Sequence, residues 1–268
     1  MRFFPRVALS ALAAVLVGGC SPNPPGDAQG YIEGEYVYLA SPLGGALTNL
    51  AVARGDSVKA GQLLFRLERQ SEADAVAEAG KNLASAKASL ALAESIFQRR
   101  KELRENPSAV VSAEELDQAH AQRDSAAAEV ASQQAVRDKA KWSFDQKEQF
   151  APVDAAVHDT LYRSGEFVAA GNPVVVLLPP ANLKVRFFVP QEKLPQVKVG
   201  GAVLVKCDGA AHAFSATVNY ISTEAEYTPP VIYSRETRAE LVFMIEAKFA
   251  PADAAELRPG QPVDVQLP

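Results

Sequence analysis

The segment "PLGGALTNLAVARGDSVKAGQLLFRL" at 42–67 returns as "PVDAAVHDTLYRSGEFVAAGNPVVVL" at 152–177, without a gap, at an offset of 110 residues. Pro42 matches Pro152, Leu43 Val153, Ala46 Ala156 and Leu47 Val157. Further along, Gly55 matches Gly165, Asp56 Glu166, Val58 Val168, Ala60 Ala170, Gly61 Gly171 and Leu67 Leu177. A duplication constrains the fold before any local propensity does, because each copy must be able to take the same conformation. Each copy reads as short strands punctuated by glycine turns. Gly55, Gly61, Gly165 and Gly171 stand where the backbone needs conformations costly for other residues, while Val58 and Val168 point into a core. One copy of about 26 residues buries too little surface to be stable alone. The two copies are therefore expected to close on each other as a pseudo-symmetric sandwich.

The residues between the copies follow a helical period. Val76, Ala79, Leu83, Ala86, Leu90, Ala93 and Phe97 alternate spacings of three and four, a coiled-coil seam over three heptads. Ser71 with Asp74 marks the expected start in the manner of a capping box, and Ser112 with Glu115 opens a second helix. Between the helices "ENPSAVV" breaks the pattern, because Pro107 disfavours helix at Asn106. The return seam runs Leu116, Ala119, Ala126, Val130, Ala140 and Phe144, with Arg123, Gln133 and Arg137 read as interruptions. Each arm of about 35 residues would be about 50 Å long. Residues outside the seam are mostly Ala, Ser, Gln and charged, which suits a projecting two-helix rod. A pair packed back on a globular body would show a wider apolar face.

Residues 181–268 form a third region, with β-rich runs "LKVRFFVP", "AVLVKC", "FSATVNYIS", "ELVFMIEAKF" and "PVDVQLP". Strands at this spacing suggest a small barrel. At the other end, "MRFFPR" is a basic n-region and "VALSALAAVLVGG" an apolar h-region that stops at Cys20. Thirteen apolar residues fall short of the roughly 20 needed to span a bilayer, so the segment reads as a cleaved signal. Val17-Gly18-Gly19-Cys20 resembles a bacterial lipobox, which implies acyl chains on Cys20. The alternative is an ordinary secretory signal in which Cys20 is incidental. Cys207 is then the remaining thiol, and its place in a strand-like run favours a buried small hydrophobe over a reactive group.

The pattern G-D-x-V-x-x-G-Q-x-L, followed by a second G-E-x-V-x-x-G, resembles the biotinyl/lipoyl carrier fold. Carriers join the halves by a tight hairpin that displays a modified Lys. Here about 80 residues follow Glu68 at that point, and Lys59 belongs to the glycine turn itself. With "VPQEKLPQVKVGGAV" and "LRPGQPVDVQL" in the third region, the module order resembles the HlyD-type periplasmic adaptors, also called membrane fusion proteins. The fold class expected is α+β multi-module: a split biotinyl/lipoyl-like β-sandwich, a long antiparallel α-helical (coiled-coil) hairpin and a small β-barrel. The expected boundaries are 1–19 signal peptide, 20–35 lipidated tether, 36–68 plus 148–180 lipoyl-like domain, 69–147 hairpin and 181–268 barrel.

The resemblance implies a non-enzymatic adaptor in a tripartite system, bridging an inner-membrane transporter to a TolC-like outer-membrane channel. A homo-hexameric ring is the family precedent. Among subgroups it is closest to adaptors of ABC-type pumps, because RND-pump adaptors continue into a fourth domain after the barrel and this chain stops at Pro268. The family's hairpin tip carries an Arg-x-x-x-Leu…Ser signature for channel docking. Arg99, Leu103 and Ser112 take those positions, with a Leu-to-Ser separation two residues longer than usual. The resemblance places the protein in the periplasm, lipid-anchored at the inner membrane, although Ser21 lacks the Asp of the enteric retention rule and leaves the outer membrane open.

Chemistry is sparse elsewhere. His120, His158 and His212 lie in three different modules without metal-ligand spacing. There is no nucleophile elbow or phosphate-binding loop, so no catalytic residue, metal site or cofactor is expected. The balance of 27 basic against 32 acidic residues, net −5, offers no footprint for nucleic acid. The alternatives in other classes are a structural envelope lipoprotein and a biotin or lipoate carrier, the latter opposed by the missing Lys.

Overall fold

The computed structural model describes residues 27–106, 111–207, 209–210, 212–227 and 241–268. In chain order, β1 (Ala28–Gly34) precedes β2 (Val37–Ala40), β3 (Gly45–Leu50), β4 (Ser57–Val58) and β5 (Leu63–Leu67). Two helices follow, α1 (Gln70–Glu105) and α2 (Ala113–Asp145). The second half-sandwich contains β6 (Glu148–Phe150), β7 (Ala155–Thr160), β8 (Phe167–Val168) and β9 (Pro173–Leu178). The last region contains β10 (Leu183–Pro190), β11 (Ala202–Cys207), β12 (Phe214–Tyr227), β13 (Leu241–Phe249) and β14 (Pro262–Gln266). Two compact units result among the described residues, one spanning 34–183 and the other formed by 27–33 with 184–268.

In the first unit the duplication is a strand exchange. The sheets are ordered β2-β9-β7-β4 and β6-β5-β3-β8, so each short strand, β4 or β8, pairs with the long strand of the other half. Ser57 and Val58 lie opposite Ala156 and Ala155; Phe167 and Val168 lie opposite Ala46 and Gly45. The glycine turns carry the same exchange. Gly55 N–H donates to Val157 O at 2.9 Å, and Gly165 N–H donates to Leu47 O at 2.8 Å. The return bonds, Val157 N–H to Asp56 O and Leu47 N–H to Glu166 O, are both 2.8 Å. Gly55 and Gly165 adopt φ of 93° and 96°, a region that a Cβ makes unfavourable. Leu47, Val58, Val157 and Val168 meet in one buried core that draws on both halves. The symmetry also extends upstream of the repeat visible in sequence. Pairing of β2 with β9 (Tyr38 with Val176) repeats that of β6 with β5 (Glu148 with Arg66), although the paired residues have no likeness.

The second unit is a closed barrel in the order β1-β10-β13-β12-β11-β14. Its first strand corrects a sequence expectation, because Ala28–Gly34 falls inside the segment read as tether (20–35). Ala28 through Tyr31 pair with Val265 through Pro262, so β1 closes the barrel and removes a sheet edge. On its other side β1 lies against β10, and Gly30 permits that approach: a Cβ there would lie 2.1 Å from Arg186 O. Along β10, Val185 and Phe187 face the core, while Lys184 and Arg186 alternate with them and meet Glu246 at 2.9 and 2.8 Å. Burial alone would raise the Glu246 carboxyl, but hydrogen bonds from Arg186 and Lys184 outweigh it and hold it below the usual carboxylate range. Cys207 is buried at the end of β11.

Gly55→Ala and Gly165→Ala should each destabilise the split domain by about 1–2 kcal/mol in urea unfolding, by closely similar amounts, because the two turns are equivalent. Gly80→Ala, inside α1 where an added Cβ meets nothing within 4 Å, should instead stabilise by up to about 1 kcal/mol.

Candidate functional site

The rod is built from two seams that meet along their length. On α1, Ala79, Leu83, Ala86 and Ala93 are buried, with Val76, Leu90 and Phe97 partly so. On α2, Ala119 is buried, and Leu116, Ala126, Val130, Ala140 and Phe144 are partly covered. Arg123, Gln133 and Arg137 prove to be seam positions themselves, since they are partly covered and complete an unbroken three-four alternation from Leu116 to Phe144. A long polar side chain can occupy a narrow seam when its stem packs and its head reaches an edge. Arg123 does this: its guanidinium lies 4.7 Å from the Phe97 ring centroid and 2.6 Å from Asp124. Midway along, small side chains leave a groove of about 550 Å³ lined by Asn82, Ser85, Ser89, Gln122, Ser125 and Gln133. The helices pack chiefly on one another, as a projecting rod requires.

Toward the tip, Arg99 and Leu103 are four residues apart on α1 and both exposed, Leu103 by 43%. Residues 107–110, including Pro107, lie outside the described residues. On the other arm Ser112 caps α2. Its hydroxyl accepts from Glu115 N–H at 3.1 Å, and its own N–H donates to Glu115 Oε2 at 2.9 Å, completing the capping box. The Ser112 N–H and then its hydroxyl hold the Glu115 carboxyl below the usual range. Arg100 ties the arms together near the tip, donating to Glu115 O at 2.8 Å. Arg99, Leu103 and Ser112 are thus placed at the same end of the rod, with Ser112 engaged in its own helix.

At the root, the expected capping box at Ser71 and Asp74 is absent. The helix starts at Gln70, with Arg69 in the cap position and no side-chain cap. Tertiary contacts replace it. Arg69 pairs with Glu148 at 2.8 Å and lies 4.2 Å over the Phe144 ring, and Gln70 N–H donates to Glu68 Oε1. Sequence reading also missed Lys147, which is only 5% exposed. Its ammonium donates to Gly44 O at 2.7 Å and pairs with Glu72 Oε1 at 3.1 Å. Ser41, also buried, donates to Gln146 O at 2.8 Å while its carbonyl accepts from Gly171 N–H at 2.9 Å. In "DQKEQF" Lys147 has the look of a solvated helix end, and only the tertiary contact distinguishes it.

The histidines are dispersed. His120 lies 3.2 Å from Asp124 on α2, His158 stacks on Tyr36 with centroids 4.2 Å apart, and His212 lies 4.6 Å from Phe214. Among the described residues no group of three His, Cys, Asp or Glu could hold a metal ion. No helix among them is long and apolar enough to cross a membrane. Cys20 and Ser21 lie outside the described residues.

The chain thus combines a coiled-coil rod growing from a split lipoyl-like body with a β-barrel. The family model described as "RND MFP, alpha-helical hairpin domain" matches residues 75–147. The UPF0194 membrane protein in the asrC 5′ region of Acidithiobacillus ferridurans is 29% identical, covering 89% of this chain and 86% of its own. Among solved structures, the membrane fusion protein Spr0693 from Streptococcus pneumoniae R6 superposes with a TM-score of 0.63 at 20% identity, over 90% of this chain and 97% of that one. MacA from Actinobacillus actinomycetemcomitans gives 0.57 at 19%, over 89% and 76%. The hairpin of this chain thus matches that of membrane fusion proteins, and the remainder is similar in fold to solved members of that group.

Ser112→Ala should cost about 1 kcal/mol, felt locally as faster amide exchange in the first turn of α2, and Ser112→Thr should restore protection. Because the folded Glu115 carboxyl sits below its unfolded value, its contribution is complete above the ordinary carboxylate pKa and is lost as pH falls through the lowered one. Protection of the same turn should therefore decline below about pH 4 in the wild type and much less in Glu115→Gln.

Proposed function

We propose that this chain is a non-enzymatic periplasmic adaptor that bridges an inner-membrane transporter to a TolC-like outer-membrane channel. The observation that carries the reading is the rod itself. Its root is locked into the split body, and its far end presents Arg99 and Leu103 on one exposed face of α1. A helical channel end can be met by such a face through one cation and one apolar contact, with Ser112 holding the return arm in place. Acyl chains on Cys20 anchor the mature protein, two or more chains giving stable attachment where one would be marginal. Six copies form a ring through their lipoyl-like bodies, on the precedent of the family that the sequence resembles.

The inner-membrane partner is read as an ABC-type exporter from the resemblance of the sequence to that subgroup. The description of the matching hairpin family names the RND class, and this favours a second reading, in which the partner is an RND permease. Affinity purification from detergent-solubilised membranes separates them: an ATPase subunit in the eluate supports the first, an RND permease the second. A purely structural lipoprotein would yield neither, and its deletion would leave export and drug sensitivity unchanged.

A photo-crosslinking amino acid at position 99 or 103 should capture an outer-membrane channel in cells, while the same group at position 57 on the body should not. Absence of capture from both tip positions in an assembled, purified complex would remove the tip from the docking surface. The mature protein should carry its acyl mass on Cys20, and Cys20→Ala should release it from the membrane fraction.

A further inference from the structure

We infer that Lys147 and Glu72 are positioning residues that set the angle at which the rod leaves the split body. The first ground is the break in pseudo-symmetry. Lys147 is equivalent by the 110-residue offset to Val37, which packs partly buried against the core. That backbone position therefore accepts an apolar residue, and the half that uses Val37 carries no helix pair there. The charged residue appears where the rod is attached.

The second ground is connectivity. One buried ammonium joins three elements: it extends from the end of α2, pairs with Glu72 in the first turn of α1, and donates to Gly44 O just before β3. The glycine pair makes room for it, since a Cβ on Gly45 would lie 3.1 Å from the ammonium and one on Gly44 would lie 3.1 Å from Val168 O. Ser41 adds a second strut from Gln146 O to the Gly171 turn. Both helices are thus referred to the exchanged glycine turns.

The third ground is that the joint is not arranged for stability. Glu72 Oε2 is buried with no hydrogen-bond partner, and a buried ion pair commonly gains nothing over apolar residues of similar volume. What such a pair does supply is direction, because it is satisfied in one geometry while an apolar contact tolerates sliding. Direction matters for a lever. A helix of 36 residues is about 54 Å long, so a swing of about 10° at the root moves the tip by about 9 Å. The purpose of the joint rests on the adaptor reading, but its geometry does not.

The test measures angle, not transport. Nitroxides on a ketone-bearing amino acid at positions 57 and 92 report rod against body in the full chain, position 92 lying about 33 Å along α1 from Gln70. In wild type the pulsed-EPR distance distribution should be narrow. Lys147→Met/Glu72→Leu should keep wild-type helicity and thermal stability to within a few degrees, yet widen the distribution at least about twofold. The isosteric Glu72→Gln, which preserves packing, should widen it as well. A wild-type width in either variant overturns the assignment, because a merely structural pair would alter stability and leave the angle unchanged. Loss of export on deletion is scored separately, so a failed adaptor reading and a failed joint are distinguishable.

Discussion

Everything in the first unit depends on backbone exchange between two half-domains. Gly55 donates into the second half and Gly165 into the first, with return bonds on each side, so neither half completes its own sheet. This places strong demands on chain entry and exit. The 80 or so residues between the halves must leave and return at neighbouring points, since β5 and β6 are paired strands. Two antiparallel helices of nearly equal length meet that condition with no further device. A single helix could not, because it would deliver the chain far from β6.

The rod shows how little apolar surface a coiled coil needs when its ends are held. Alanine recurs along its seam, beside Val76, Leu83, Leu90 and Phe97 on one arm, with arginine and glutamine among the positions of the other. Such a seam forfeits burial but keeps the helices close and leaves the outer faces free for other contacts. The ends compensate. Arg100 and the Ser112–Glu115 box fasten the tip, and Arg69, Glu148, Lys147 and Glu72 fasten the root. Most helical stability in proteins comes from tertiary packing and not from propensity, and here that packing is supplied by the seam and by the contacts at both ends.

The modules and their order were legible in the sequence because each has its own period: a duplication, a heptad, and evenly spaced strands. Residues that join modules were not. Tyr38 and Glu148 are equivalent in space and unlike in chemistry, so the repeat seemed to begin at Pro42. Ala28–Gly34 became a barrel strand through pairing with β14 and β10, both remote in sequence, a relation that local pattern does not encode. Arg123, Gln133 and Arg137 were read as breaks because polar residues lower an apolar count, yet their spacing was in phase throughout. At the root, Ser71 and Asp74 matched a capping pattern, but the tertiary contacts of Arg69 made a local cap unnecessary.

The socket-like union of rod and body also separates two design variables. Since β5 and β6 close the body regardless of what lies beyond them, rod length can change without touching the core, provided that both arms change together. Added in whole heptads, each seven residues per arm lengthen the rod by about 10 Å and leave the seam in phase. The hairpin is in that sense a ruler with graduations. Duplication and deletion in the helices alone would reset its reach, leaving untouched the clasp that took two copies of one motif to build.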